Sequence, residues 1–209
     1  MNLIIKNTLR IIRDYNITLV KIFFFEFIYL VKDYKGFKFN FSTNNTMTNN
    51  IPCPYYFLFR IKKHFKKNNF QKLYDLGCGS GRIIDFFNRD FPNKEFVGIE
   101  YFSKQFEHCK KRFHKNNNIE IIQGDFTKID FMINNPDYLF LTDPFKNSSD
   151  FLNFMEKIIN LTNRKLFFII VNTNKETIGM IKNITVIDSF YISKNSGYSI
   201  CSSTNVKKI

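Results

Sequence analysis

With 209 residues, the chain is long enough for one domain with an appendage and can bury a sizeable core. Alanine and tryptophan are absent while Phe, Ile, Asn and Lys abound, a bias that A/T-rich codons produce. The formal charge of +13 is discounted accordingly: lysine outnumbers arginine 24 to 7, and specific phosphate or base recognition favours arginine.

The four cysteines, Cys53, Cys78, Cys109 and Cys201, form no C-x-x-C pair or Cys/His cluster. That argues against a zinc site and against a disulfide framework, so no metal is expected. Reduced thiols and no cleavable signal peptide point to a cytoplasmic protein.

Residues 1–50 read as a helical appendage with a linker, followed by a domain over 51–209. Ile17 to Val31 is densely apolar but interrupted by Lys21 and Glu26, too short and too charged to span a membrane. Phe23, Phe27, Leu30 and Tyr34 recur at helical spacing. One expectation is a pair of helices packed on the domain or on a second subunit. The other is an amphipathic surface, residues 1–35, resting on the inner membrane face with Lys6, Arg10, Arg13 and Lys21 toward anionic lipid. Lys38 to Asn50 is polar and aperiodic, as expected of a linker or a flap.

Tyr55 opens a helix predicted through Lys67, with Phe57, Leu58, Ile61 and Phe65 inward. Lys72 to Ile84 then reads as a short buried strand, a glycine loop and a helix start. Gly77, Gly79 and Gly81 fall on alternate positions, where the backbone can turn sharply and a ligand can approach. A helix beginning near Gly81 points free N–H groups at that ligand. Asp75 at the strand end would repel a pyrophosphate, and Arg82 stands where the dinucleotide pattern needs its third glycine. The ligand expected there is a nucleoside with a cationic near end. Asp75-Leu76-Gly77-Cys78-Gly79-Ser80-Gly81 resembles the first motif of class I S-adenosylmethionine-dependent methyltransferases.

The next predicted strand, Glu95 to Glu100, ends in a carboxylate 23 positions after Gly77. An acid at that place can accept both ribose hydroxyls. The resemblance extends the cofactor site to Tyr101, beside Glu100, and to Asp125 and Phe126 after the strand Ile119 to Gln123. Asp125 holds the position that commonly receives the adenine amino group, and Phe126 could flank the ring. A helix is predicted over Phe102 to Asn116, with a basic outer face. The Pro52-Cys53-Pro54-Tyr55 stretch resembles the approach to the ligand pocket in some members, which makes Tyr55 and Tyr56 acceptor-site candidates. The alternative is that both are ordinary packing aromatics.

A fourth strand, Pro136 to Thr142, runs into Asp143-Pro144-Phe145. This resembles the family's catalytic motif of amine-directed members, with the second proline missing. Asp143 would orient or deprotonate a hydroxyl or amine, Pro144 would stiffen the turn, and Phe145 would offer a flat apolar face. Further elements are helices over Ser148 to Leu161, capped by Ser148 or Ser149, and Lys175 to Ile181. Strands follow the same pattern over Lys165 to Asn172, Thr185 to Ile192 and Tyr198 to Ser203. Strands alternating with helices before a terminal hairpin predict an α/β fold: a doubly wound, seven-stranded, mostly parallel sheet. That is the Rossmann-like sheet which the resemblance implies.

The resemblance covers about residues 51–203. It implies S-adenosylmethionine as cofactor and methyl transfer as activity. The overall pattern looks similar to small bacterial methyltransferases of surface-polysaccharide clusters, with a sugar or other small acceptor, and to some protein-lysine methyltransferases. An RNA acceptor draws on charge alone. A non-catalytic binding partner of the same fold is the alternative of another class.

Overall fold

The computed structural model describes residues 17–32, 52–128, 130, 135–143 and 145–204. Residues 1–16, the expected linker or flap at 38–50, and Pro144 lie outside the described residues.

The elements follow in the order α1 (Ile17–Lys32), α2 (Tyr55–Lys67), β1 (Lys72–Leu76), α3 (Arg82–Asp90), β2 (Glu95–Glu100), α4 (Ser103–Phe113), β3 (Ile119–Gln123), β4 (Tyr138–Thr142), α5 (Ser148–Leu161), β5 (Phe167–Val171), α6 (Lys175–Gly179), β6 (Ile184–Ser193) and β7 (Ser196–Ser203). Seven strands form one sheet in the order β3-β2-β1-β4-β5-β7-β6. β1 to β5 run parallel, and β7 inserts antiparallel between β5 and β6. The doubly wound, mostly parallel expectation holds, with β7 the one antiparallel strand.

Both faces of the sheet are covered, so the central strands are nearly continuous apolar runs. Alternate side chains serve opposite faces. Leu73, Tyr138, Phe140 and Ile169 join the cluster under α2 and α3, while Tyr74, Leu139, Leu141 and Ile170 join the one under α5. The strand order reverses between β1 and β4, and a ligand crevice is expected outside the carboxyl ends of strands at such a point.

The helix over Ser148–Leu161 forms as expected, but its cap differs. Ser148 and Ser149 are the first helical residues of α5, and Asn147 takes the cap position in extended conformation. Helix α1 packs on the domain through Ile22, Phe25 and Tyr29. The sequence pattern alone left its packed face open.

Candidate functional site

Four carboxylates stand along the carboxyl edge of four adjacent strands. Asp125 follows β3, Glu100 ends β2, Asp75 lies one residue before the end of β1, and Asp143 follows β4. The glycine loop sits above them, tied to β2 by Gly77 and Cys78 N–H groups donating to the Ile99 carbonyl at 2.8 and 3.0 Å.

Asp75 is 1% exposed, and neither of its carboxylate oxygens has a hydrogen-bond partner among the described residues. Burial pushes its carboxyl well above the usual carboxylate range, and the neighbouring Glu100 adds to the push. A buried carboxylate with nothing to accept from is costly, so this position fits a cationic group delivered by a ligand.

Glu100 is buried but not bare. Oε2 accepts from the Gly79 N–H at 2.7 Å and Oε1 from the Phe102 N–H at 2.8 Å. Burial still raises its pKa against those bonds. A carboxylate has about four lone-pair sites, so acceptance of ribose hydroxyls uses the remaining ones. The side chain therefore also fixes the shape of the glycine loop. Tyr101 is 45% exposed beside it and meets Phe102 edge-on.

The glycines divide by role. Gly77 has φ +84° and open space where a Cβ would stand, as a close ligand approach requires. Gly79 adopts φ +55°. Gly81 caps α3 at φ +80°, and a Cβ there would lie 2.4 Å from the Phe113 ring and 2.8 Å from Cys109 Sγ. Its smallness serves the seating of α4. Gly98, inside β2, was not singled out from sequence. A Cβ there would meet Cys78 Sγ at 2.7 Å and Ile84 at 2.8 Å.

Asp125 is engaged locally. Its Oδ1 accepts from the Thr127 N–H at 2.9 Å and hydroxyl at 2.6 Å, and Oδ2 lies 3.5 Å from Lys128 Nζ. Burial pushes its pKa up, but the Thr127 bonds and Lys128 hold it below the usual value. Phe126 turns into the core against Phe145 and Phe154, ring centroids 5.7 and 5.4 Å away. Phe126 is thus a buried packing ring, and Phe145 a half-buried ring against it.

Asp143 has φ +43°, and Asn172, at the same level after β5, has φ +58°. The left-handed region is costly for residues with a Cβ, and Asn and Asp tolerate it best. Asp143 N–H donates to the Val171 carbonyl at 2.9 Å, which locks the two strand ends together. Burial raises the Asp143 pKa. Asn172 Oδ1 is buried without a hydrogen-bond partner among the described residues. Asp143, Phe145, Asn172, Asn174, Thr177 and Ser196 help to line a cavity of about 500 Å³. Asn172 was missed from sequence. An Asn ending a fully apolar strand was the available signal.

Tyr55 and Tyr56 are buried and face packing partners. Tyr55 stacks on Tyr29 at 4.5 Å and lies under the Arg82 guanidinium at 4.4 Å, while Tyr56 meets Phe25 and Phe190. Of the two sequence expectations, these contacts describe packing. Arg82 is itself 8% exposed; its Nη1 donates to Glu26 Oε2 at 3.0 Å and to the Cys53 carbonyl at 3.2 Å. Among the described residues, no cluster of His, Cys, Asp and Glu is arranged to hold a metal.

Residues 73–164 match the family model described as a methyltransferase domain. The chain is 31% identical over 83 residues to a protein-lysine N-methyltransferase of Saccharolobus islandicus, covering 38% of this chain and 52% of that protein. It is 28% identical over 97 residues to the modification methylase CviBIII of Paramecium bursaria Chlorella virus NC1A, covering 44% of this chain and 26% of the relative. It thus spans about half the length of the first relative and a quarter of the second. In fold it is similar to an RNA methyltransferase of Salinibacter ruber solved with S-adenosyl-L-homocysteine. There the TM-score is 0.56 at 17% identity, over 76% of this chain and 96% of that one.

Proposed function

We propose that the chain is a class I S-adenosylmethionine-dependent methyltransferase and that it methylates a hydroxyl or amine acceptor seated beside Asp143. The observation that carries this is Asp75, a buried carboxylate with two unpartnered oxygens at the reversal point of the sheet. Bound S-adenosylmethionine supplies an electrophilic methyl group on its sulfonium. Asp75 would hold the ammonium of that cofactor, which relieves the cost of burying the carboxylate. Gly77 leaves room for close approach, Glu100 would take the ribose hydroxyls, and Asp125 with Tyr101 would border the adenine.

The protein's remaining task is alignment and exclusion of water. Asp143, its pKa raised by burial, takes a proton from an acceptor more readily than an ordinary carboxylate does. The cavity supports a small polar acceptor, a cell-surface sugar being the first choice, since many of its lining side chains are amides and hydroxyls. A lysine side chain is the second reading, favoured by the likeness to the protein-lysine N-methyltransferase.

Titration calorimetry with S-adenosylmethionine tests the cofactor assignment. The wild type should bind, and Asp75→Ala and Glu100→Ala should each bind at least about tenfold more weakly. A wild type that does not bind overturns the proposal. Formation of S-adenosylhomocysteine over a panel of glycosides, lysine peptides and RNA then separates the acceptors. Product formed only with RNA would reject both the sugar and the lysine reading.

A further inference from the structure

Helix α1 is apolar on both faces, yet the described residues of the domain pack against only one. Ile22, Phe25 and Tyr29 pack inward. On the other side Phe23, Phe24, Phe27 and Ile17 are 74, 60, 68 and 58% exposed. An α-helix apolar all round belongs in a buried setting, and contiguous exposed aromatic surface marks an interaction site. Among the described residues, the other large exposed hydrophobics are scattered: Tyr101, Leu161, Met180 and a pair on β6.

We propose that this outer face of α1 rests on the surface of an anionic lipid bilayer. Charge selects the occupant. A second copy would bring another formal +13 against this one, whereas anionic headgroups attract it. Lys21 is exposed on the same arc as Ile17 and Phe24, where a lysine stem can lie along apolar surface and its ammonium reach headgroups. The single acid of α1, Glu26, turns inward to Arg82, so the outer face carries no negative charge. The helix lies on the surface and does not cross it. Sixteen residues rise about 24 Å, short of a hydrocarbon core of about 30 Å. Among the described residues, no helix is long and apolar enough to cross a membrane.

Co-sedimentation of the full chain with phosphatidylcholine vesicles, with or without phosphatidylserine, tests this. The expected result is sedimentation with the anionic vesicles, weakened by salt. The triple variant Phe23→Ser, Phe24→Ser, Phe27→Ser should lower partitioning at least about tenfold. Lys21→Glu, which leaves the rings in place, should lower it about several-fold. S-adenosylmethionine binding should survive in both variants, because none of these residues lies at the cofactor site. Equal sedimentation with neutral and anionic vesicles, or none with either, overturns the proposal. So does a dimer in sedimentation velocity that the triple variant converts to monomer, which would assign the face to a second copy.

Discussion

Arg82 Nη1 lies 3.0 Å from Glu26 Oε2, which joins the first residue of the helix after the glycine loop to a helix 56 positions earlier. Glu26 Oε1 also accepts from the Tyr55 N–H at 2.6 Å, at the start of α2. One carboxylate therefore holds three helices in register. Glu26→Ala leaves a mostly buried guanidinium without this acceptor, at a cost of about 3 kcal/mol. For a domain of this size that lowers Tm by roughly 6 to 12 °C. Combining Glu26→Ala with Arg82→Leu should restore part of the loss, and a double-mutant cycle by thermal melting reads the coupling directly.

Asp75 should set a pH dependence. Its ordinary carboxyl value is 3.8, and burial in the fold raises it well above that. Between the two values, the folded chain keeps a proton that the unfolded chain has lost. Stability without ligand therefore falls as pH rises from the unfolded value through the raised folded one. Asp75→Asn should flatten that decline and raise Tm near neutral pH, while binding S-adenosylmethionine at least about tenfold more weakly. Melting curves across pH, paired with calorimetry, measure both. A variant less stable than wild type at every pH would contradict this account.

Two glycines four residues apart should fail differently. Gly77→Ala has room for its methyl group and bears only the left-handed strain, about 1 to 2 kcal/mol, so it should fold and lose cofactor affinity. Gly81→Ala drives its methyl into Phe113 and Cys109 in addition to that strain, and should melt substantially lower. Comparing Tm and cofactor Kd for the two separates a ligand-facing glycine from a packing one.

Asp143→Asn should keep cofactor affinity but slow methyl transfer about a hundredfold or more. In the wild type the rate should decline as pH falls through the raised carboxyl value, because the base is then protonated. The Asn variant should lack that acidic limb. Rates of S-adenosylhomocysteine formation against pH decide it.

The glycine loop and the acidic strand ends were legible because local rules fix them: strand length, turn residues and the spacing to the next strand. The mostly parallel sheet with its terminal hairpin followed from the same alternation. The packing contacts of Gly81 and Phe126 were not legible. A residue's type and place in a motif do not tell whether a ligand or a neighbouring helix fills the space beside it. Gly81 faces α4, and Phe126 faces Phe145 and Phe154. The Glu26–Arg82 bridge was hidden for a related reason. Its partners belong to no common motif and meet only once the fold has formed.

Gly98 gives the glycine loop an unusual foundation. With no side chain there, Cys78 rests directly on the backbone of β2, and a methyl group would displace it. The height of the loop above the sheet is set there by main chain, which every sequence shares. A genome drifting toward Phe, Ile, Asn and Lys can rewrite the surrounding side chains while leaving that support intact. The same drift has little latitude at position 98, where even the smallest step, to alanine, would press into the Cys78, Ile84 and Ile121 side chains.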